Sequence, residues 1–372
     1  MTKKKVLVGM SGGVDSSAAA AMLIDQGYDV TGVTIEPFYF EEYYGDEYKD
    51  HYATGIRDAK IVCDKLGIPH LTVDYKDYFR EKVVSYFIDE YMAGRTPNPC
   101  IFCNPLIKWG KLISTADEQG INFVATGHYA KINKEEQTGR YFITKGGDIN
   151  KDQSYFLWKL DQSRLARTIF PLGDYAKPDV RKIAEDHDLP VFNKAESQEV
   201  CFIPDSDYRR FLRLAVPDID KKIGEGNIEL NGEVLGQHKG YPFYTIGQRK
   251  GMGISYKDPL YINSIDAKTN TIIVGENREL EAKEVIADTL NFMKYNEFDP
   301  NKKYIVKIRY RDPGTAAVCS LDADGTLHIR FDENVRAVTP GQSVVIYDGS
   351  DVVAGGIIQT AANKNVQPRR SV

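Results

Sequence analysis

The chain of 372 residues contains no run approaching the roughly 20 apolar residues of a membrane-spanning helix, so no such span is expected. Cysteine is scarce: five residues, unevenly spaced. The basic start, Met1 to Lys5, runs straight into Val6-Leu7-Val8-Gly9-Met10 and then glycines, which reads as a strand and a loop rather than a signal-peptide core. A disulfide framework is therefore not expected, and the cysteines read as reduced thiols of a cytoplasmic protein, some of them chemical. Net positive charge is also lacking, since 48 Lys and Arg stand against 53 Asp and Glu, a balance of −5. Any RNA site must then be a local basic face on an acidic protein. Internal repeats and low-complexity segments are absent. What remains, 42% hydrophobic and 27% charged residues, is the balance of a soluble globular chain with room for two or three domains.

The N-terminal half alternates between two periods. Residues 5–10, 28–35, 70–73 and 123–126 read as short buried strands. Between them, 16–26, 56–66, 78–91 and 106–119 read as helices, with Gly27 and Gly67 as stops. Repeated strand–helix–strand units imply a doubly wound parallel sheet with helices on both faces and a ligand site beyond the carboxyl ends of the strands. The acidic, tyrosine-rich stretch 36–52 reads as a long loop with no assigned role.

After residue 205 the helical period fades. Glycines punctuate β-like runs between 224 and 275, and strict alternation follows over 304–310, 326–331 and 343–347, with Asp324-Gly325 and Asp348-Gly349 as hairpin turns. The expected architecture is an α/β domain over 1–205, a small β-rich middle domain over 206–283 and a C-terminal β-barrel over 284–372. The tail 363–372 is polar and reads as frayed.

The strongest chemical signal is Ser11-Gly12-Gly13-Val14-Asp15-Ser16-Ser17, between the first strand and the first helix. Glycines let several amide N–H groups face one anion, and the helix adds its N-terminal dipole. The lysine of the Walker loop is missing. Read blandly, the string is a serine-capped glycine turn. SGGxDS resembles the pyrophosphate loop of the ATP pyrophosphatase family, which implies an adenine nucleotide hydrolase-like fold, cleavage of ATP to AMP and pyrophosphate, and adenylation of a carbonyl oxygen. Asp15 then helps hold Mg²⁺.

Further strings follow in order: 94–104 with Asn98-Pro99-Cys100-Ile101-Phe102-Cys103, a rigid proline-kinked loop presenting two thiols; Ala125-Thr126-Gly127-His128-Tyr129 at a strand end; Asn150-Lys151-Asp152-Gln153-Ser154-Tyr155-Phe156-Leu157; Ser197-Gln198-Glu199-Val200-Cys201-Phe202-Ile203; Thr245-Ile246-Gly247-Gln248-Arg249-Lys250-Gly251; and Pro340-Gly341-Gln342-Ser343-Val344. Together, over nearly the whole chain, they resemble the tRNA-specific 2-thiouridylase family (MnmA).

The resemblance implies ATP-dependent 2-thiolation of a tRNA wobble uridine, with tRNAs for glutamate, glutamine and lysine as acceptors and a persulfide relay fed by a cysteine desulfurase as the sulfur source. It implies Cys201 as the persulfide carrier and Cys103 as the nucleophile, both with thiolate character, and a transient Cys103–Cys201 disulfide in turnover. It places Gly9, Met10, Ser11, Gly12, Gly13, Val14, Asp15 and Ser16 around the phosphates, and Ile35 and Gly127 on the nucleotide. It places Asn98, Pro99 and Cys100 at the target base, and His128, Lys151, Asp152, Gln153, Arg309, Tyr310 and Gln342 on the tRNA. A lone histidine is as readily a satisfied structural one, and basic residues on a strand are often a solvated face. Gln248, Arg249 and Lys250 offer a further basic contact in the middle domain. Cys63, on an apolar helix face, and Cys319, in an alternating strand, read as structural.

One departure stands out. Cys100 occupies the position where the best-known members carry an aspartate, three residues before the nucleophile, which unsettles proton handling. Cys100, Cys103 and Cys201 also supply the three thiolates that hold a [4Fe–4S] cluster with an open iron, or a zinc ion. Two further alternatives stay open: another adenylating enzyme of the same superfamily, such as an amide-forming synthetase or a lysine-adding tRNA enzyme, which needs no reactive cysteine, and a nucleotide-gated RNA-binding module without catalysis.

Overall fold

The structure, a computed structural model, describes residues 3–48, 50, 53–195 and 200–362. Ser197, Gln198 and Glu199, part of one of the strings above, and the tail 363–372 lie outside the described residues.

Strands β1 (Lys5–Gly9), β2 (Asp29–Glu36), β3 (His70–Asp74) and β4 (Phe123–Ala125) lie in one sheet. The chain then leaves it for a hairpin, β5 (Ala130–Lys134) and β6 (Tyr141–Lys145), and returns as β7 (Thr168–Ile169). The order is β3-β2-β1-β4-β7, with every neighbouring pair parallel. The alternation within β1 shows why the sheet is covered on both faces. Val6 and Val8 pack with alanines of helix α1 (Val14–Asp25), with Ala59 and Cys63 of the helix Ala53–Leu66 and with Val180 of the helix Lys177–Asp186. Leu7 points the other way, to Trp109, Leu112 and Ala116. This is the doubly wound α/β architecture, and among the described residues no helix is long and apolar enough to cross a membrane.

Two segments depart from the sequence reading. The stretch 36–52 contains the helix Phe40–Tyr44 and a 3₁₀ turn over Asp46–Tyr48. Its Phe38, Phe40 and Tyr44 are buried in an aromatic cluster with Phe79, Phe87, Phe202 and Phe211, so aromatic burial outweighs its acidic, loop-like composition. The 94–104 segment is not wholly a loop: Pro99–Cys103 is helical and runs through a π turn, Asn104–Trp109, into the helix Gly110–Glu118. Proline at the first position of a helix needs no N–H partner, so Pro99 opens the helix rather than preventing it. Pro105 then has no N–H to continue the α ladder, where the wider turn appears.

The middle part carries β8 (Gly226–Leu230), β9 (Glu233–His238), β10 (Tyr261–Asp266) and β11 (Thr271–Gly275), in the order β10-β11-β8-β9. Its Ile228, Phe243, Ile262 and Ile272 share the aromatic cluster that holds Phe38 and Phe202. The last part is a closed six-stranded barrel of β12 (Glu281–Phe292), β13 (Tyr304–Lys307), β14 (Thr315–Leu321), β15 (Leu327–Arg336), β16 (Ser343–Asp348) and β17 (Asp351–Ala362). The order is β12-β15-β14-β13-β16-β17, and β17 pairs back onto β12 to close it. Closure leaves the barrel no free sheet edge. The strand read over 304–310 ends at Lys307, so Arg309 and Tyr310 sit just past it.

Barrel and α/β domain share one core. Tyr155, Leu157 and Trp158, from the segment between β6 and β7, pack with Val345, Tyr347, Val352 and Ile357. The Trp158 indole N–H donates to Ser343 Oγ (3.0 Å), and the Tyr155 hydroxyl donates to the Ser343 carbonyl (2.8 Å). Replacing Ser343 with Ala leaves a buried indole N–H without its acceptor, a loss of about 1–3 kcal/mol. Chemical denaturation should show that loss for Ser343→Ala and a smaller one in a Trp158→Phe background. Equal losses in both backgrounds would mean that this hydrogen bond does not couple the two parts.

Candidate functional site

The glycine loop begins where β1 ends. Met10 is buried; its N–H donates to the Val33 carbonyl (2.7 Å) and its own carbonyl accepts from Thr34 Oγ1 (2.9 Å). Gly12 has φ +71°, and a Cβ there would collide with the Gly55 carbonyl, so only glycine fits both the angle and the space. Ser16 Oγ accepts from the Ser11 N–H (3.1 Å) and lies 3.2 Å from both Ser11 Oγ and the Gly13 carbonyl. Gly13 is the N-cap of α1 and uses no side chain for the purpose, which leaves the amides at the start of the helix directed outward. A Cβ on Gly127 would stand 2.7 Å from the Asp15 carbonyl carbon and 2.8 Å from the Ser16 amide nitrogen. The end of β4 thus abuts the start of α1 backbone to backbone. Ile35, partly buried at the end of β2, borders the same carboxyl edge of the sheet. A bare anion cradle, flanked by strand ends, suits a nucleotide pyrophosphate. The Asp15 carboxylate at its mouth is a hard oxygen donor of the kind Mg²⁺ takes. Its Oδ1 accepts from Lys177 Nζ (2.6 Å) and the Tyr129 hydroxyl (2.7 Å). Lys194 reaches the loop from another side, donating to the Gly12 carbonyl (2.9 Å) and to Asp58 Oδ2 (2.6 Å). Neither lysine lies in a string singled out by sequence, and no local spacing marks them.

Cys100 and Cys103 occupy one turn of the Pro99–Cys103 helix, and Asn98, buried, directly precedes it. The barrel holds the approach to that helix: Gln342 Nε2 donates to the carbonyls of Thr96 and Pro97 (3.0 Å each), and the Thr96 N–H donates to the Pro340 carbonyl (3.0 Å). Cys201 is placed by its neighbour. Phe202 is buried among Phe38, Phe79, Phe87 and Phe211, and its carbonyl accepts from the Tyr44 hydroxyl (3.1 Å). Cys103 packs against that same cluster, while Cys201 is exposed beside Phe202.

Cys100 and Cys201 reach solvent and Cys103 does so in part. Protein crowds the recess around Cys100 and Cys103, and desolvation pushes both thiols above their ordinary range, with the Lys108 ammonium opposing the shift. Cys201 and Cys100 each push Cys103 up further. The thiolate character that the family resemblance implies is thus not built into the resting site, where Cys100 and Cys103 are protonated at neutral pH. Among the described residues, no three His, Cys, Asp or Glu side chains are gathered as a group able to hold a metal ion. The donor set Cys100, Cys103 and Cys201 therefore does not fit a [4Fe–4S] cluster or a zinc ion as arranged. Cys63 and Cys319 are buried, their thiols pushed up to about 11 and about 12 by desolvation, in keeping with structural roles.

His128 is buried with its ring between Trp109 (5.4 Å) and Phe170 (6.0 Å), and Nδ1 lies 2.8 Å from Thr126 Oγ1. Desolvation, then Lys108, holds it well below the usual histidine range, so it is neutral. Lys108 therefore acts on both helix thiols and on His128, linking the thiol helix to the strand end beside the glycine loop. Asp152 is engaged internally, accepting from the Gly146 and Ser154 N–H groups (3.1 Å each), and Gln153 Oε1 accepts from the Tyr129 N–H (3.0 Å). Tyr310 lies 4.6 Å from the Phe156 ring, with Arg309 exposed beside it. In the middle part, Arg209, Arg213 and Lys239 line a recess of about 310 Å³ with Phe243 and Tyr244, next to the 248–250 basic string.

Removing the Lys108 charge raises the Cys103 thiol further, so less thiolate is present at any given pH. Iodoacetamide labelling at pH 8.5, read by mass spectrometry, should slow about 2- to 5-fold at Cys103 in Lys108→Gln, the modest effect of a solvent-screened charge. Cys63 and Cys319 should stay unlabelled in both proteins. Equal Cys103 rates would show that Lys108 does not act on it.

Three family models match in sequence: a tRNA methyl transferase HUP domain over residues 4–205, a tRNA methyl transferase PRC-barrel domain over 211–276 and an aminomethyltransferase beta-barrel domain over 282–358. Among curated proteins, the tRNA-specific 2-thiouridylase MnmA of Salinibacter ruber is 44% identical over 364 residues, spanning 96% of this chain and 95% of its own. The proteins of that name from Clostridioides difficile (45%, covering 96% and 98%) and Caldanaerobacter subterraneus subsp. tengcongensis (46%, covering 95% and 98%, MnmA 1) are similarly close. Solved structures are more distant. The U34-tRNA thiolase NcsA from Methanococcus maripaludis aligns with a TM-score of 0.35 at 21% identity over 60% of this chain and 67% of that one, too loose to carry an argument. At above 40% identity over nearly its whole length, the chain belongs to the tRNA-specific 2-thiouridylase (MnmA) family.

Proposed function

We propose that this protein uses ATP, with Mg²⁺, to adenylate the 2-carbonyl oxygen of a tRNA wobble uridine and then replaces that oxygen with sulfur carried on Cys201. The observation that carries the reading is the convergence of a bare anion-binding loop and two accessible thiols on neighbouring sites of one domain, tied through Gly127, His128 and Lys108. An amide-forming synthetase and a nucleotide-gated RNA-binding module both need the loop, but neither needs the thiols. Methyl transfer, the word in two of the family descriptions, likewise has no use for an adenylating loop beside paired thiols.

A uracil carbonyl is a poor leaving group, and adenylation converts it to a good one. The 2-oxygen attacks the α-phosphorus, the bond to the α,β-bridging oxygen breaks, and pyrophosphate leaves with the electron pair while the N3 proton is released. Loop amides and the α1 dipole stabilise the charge that develops. Asp15 would hold Mg²⁺, which would further neutralise the phosphate oxygens. The terminal sulfur of a Cys201 persulfide attacks C2, the C2–O bond breaks, and AMP leaves with the pair. Cys103 thiolate then attacks Cys201 Sγ. The sulfur–sulfur bond breaks towards C2, whose sulfur becomes the thiocarbonyl as N3 regains a proton, and a Cys103–Cys201 disulfide remains for an external dithiol to reduce. Because Cys103 rests as a thiol, its deprotonation belongs to the loaded complex. Cys100 lines the recess without a bond to make or break.

The middle part (206–283) and the barrel (284–372) serve as RNA-binding parts around the catalytic domain (1–205). Arg209, Arg213 and Lys239 with Phe243 and Tyr244, and Arg309 with Tyr310, pair cations with aromatic faces, as RNA backbones and splayed bases require. Gln342 acts on the target-base segment Asn98, Pro99 and Cys100 by holding residues 96–97. His128, Lys151, Asp152 and Gln153 shape the adjoining wall. The acceptors are tRNAs for glutamate, glutamine and lysine, the sulfur source is a persulfide relay fed by a cysteine desulfurase, and the thiol chemistry suits the reducing cytoplasm.

Single-turnover reactions with unmodified tRNA, Mg-ATP and a persulfide source test this directly. Wild type should form AMP and 2-thiouridine together. Cys201→Ser and Cys103→Ser should lose the thiolated product by more than about 100-fold, the scale of removing a covalent participant, while Cys100→Asp retains it. Full activity in both serine variants would refute the persulfide route.

A further inference from the structure

The pyrophosphate loop has no lysine of its own. Loops that handle ATP phosphates ordinarily pair their amides with a full positive charge placed where the leaving group gains electrons. Two lysines from the distant part of the chain close on the loop. Lys194 is tied to the Gly12 carbonyl and to Asp58, and so works as a clamp on the loop's shape. Lys177 is placed differently. It is the first residue of the helix Lys177–Asp186, which packs along α1 in the core beneath the loop. Only 8% of it is exposed, and its ammonium lies 2.6 Å from Oδ1 of Asp15, the second residue of α1. The same oxygen takes the Tyr129 hydroxyl at 2.7 Å, and the Tyr129 ring stands 5.8 Å from the ammonium.

Bringing an ammonium out of water is costly, and Asp15 and Tyr129 meet that cost when the protein folds rather than when ATP reacts. The charge is thereby fixed beside the amides that face the anion, without reorganisation at the moment of bond breaking. We propose that Lys177 is the cation of the ATP site, contacting the pyrophosphate as it leaves the α-phosphorus. The inference rests on the ATP-dependent reading above and names a residue for its first step. A residue serving only as counter-ion to Asp15 would stabilise the fold without a preference for pyrophosphate.

The test compares wild type, Lys177→Gln and Lys177→Arg in tRNA-dependent AMP formation, with inorganic pyrophosphate and AMP as separate inhibitors and the thermal midpoint recorded for each. Lys177→Gln should lower kcat/KM for ATP and weaken pyrophosphate inhibition about 10- to 100-fold, the range of one charge-assisted hydrogen bond. AMP inhibition should hold within about 2-fold, and Lys177→Arg should recover most of the loss. Unchanged pyrophosphate inhibition, or parallel weakening of both inhibitors with a lowered midpoint, overturns the proposal. Should Lys177→Gln not fold, a crystal structure of wild type with pyrophosphate and Mg²⁺ decides: the ammonium within about 3.2 Å of a phosphate oxygen supports the contact, and one beyond hydrogen-bond reach refutes it. Absence of AMP from wild type would count against the function itself, whereas pyrophosphate binding speaks to Lys177 alone.

Discussion

At Gly127 the end of a central strand meets the start of α1 so closely that an added carbon would lie 2.7 Å from the Asp15 backbone. That approach fixes the mouth of the anion cradle against the sheet edge. It also sets the direction of the residues that follow. His128 turns inward between Trp109 and Phe170, and Tyr129 comes back to the Asp15 carboxylate. Trp109 closes the π turn that carries Lys108, whose charge opposes the rise of both helix thiols.

The thiols themselves are held by parts of the chain far from the loop. Phe202 anchors Cys201 in an aromatic cluster contributed by the 36–48 segment, the helical stretch 76–92 and the middle part. Gln342, at the rim of the barrel, fixes the residues leading into the Cys100–Cys103 turn. The three parts of the protein share cores instead of hanging on linkers. Desolvation keeps the Cys103 side chain in its thiol form in this arrangement.

Much of this was legible in the sequence because it depends on local patterns. The alternation of Val6, Leu7 and Val8 matches a strand buried on two faces, Gly12 marks a positive φ, and Asp324-Gly325 marks a hairpin. The 36–48 segment was not legible, since acidic residues mask Phe38, Phe40 and Tyr44, and two of their partners, Phe202 and Phe211, lie more than a hundred residues away. Pro99 looks like a loop signal in the sequence, although at a first helical position it starts a helix. Asp152, Gln153 and Gln342 carry polar side chains that look available, yet each is engaged within the protein, which only tertiary structure reveals. Lys177 and Lys194 escape sequence reading for the same reason, because the loop they serve lies more than 160 residues upstream.

The central claim is that the uracil oxygen itself is adenylated, and isotope transfer tests it most directly. A tRNA bearing ¹⁸O at C2 of its wobble uridine, turned over once with ATP and a persulfide source, should yield AMP carrying one ¹⁸O in its phosphate as the nucleoside becomes 2-thiouridine. Unlabelled AMP formed alongside thiolated product would mean that the oxygen departs by another route, and the adenylation chemistry would have to be abandoned.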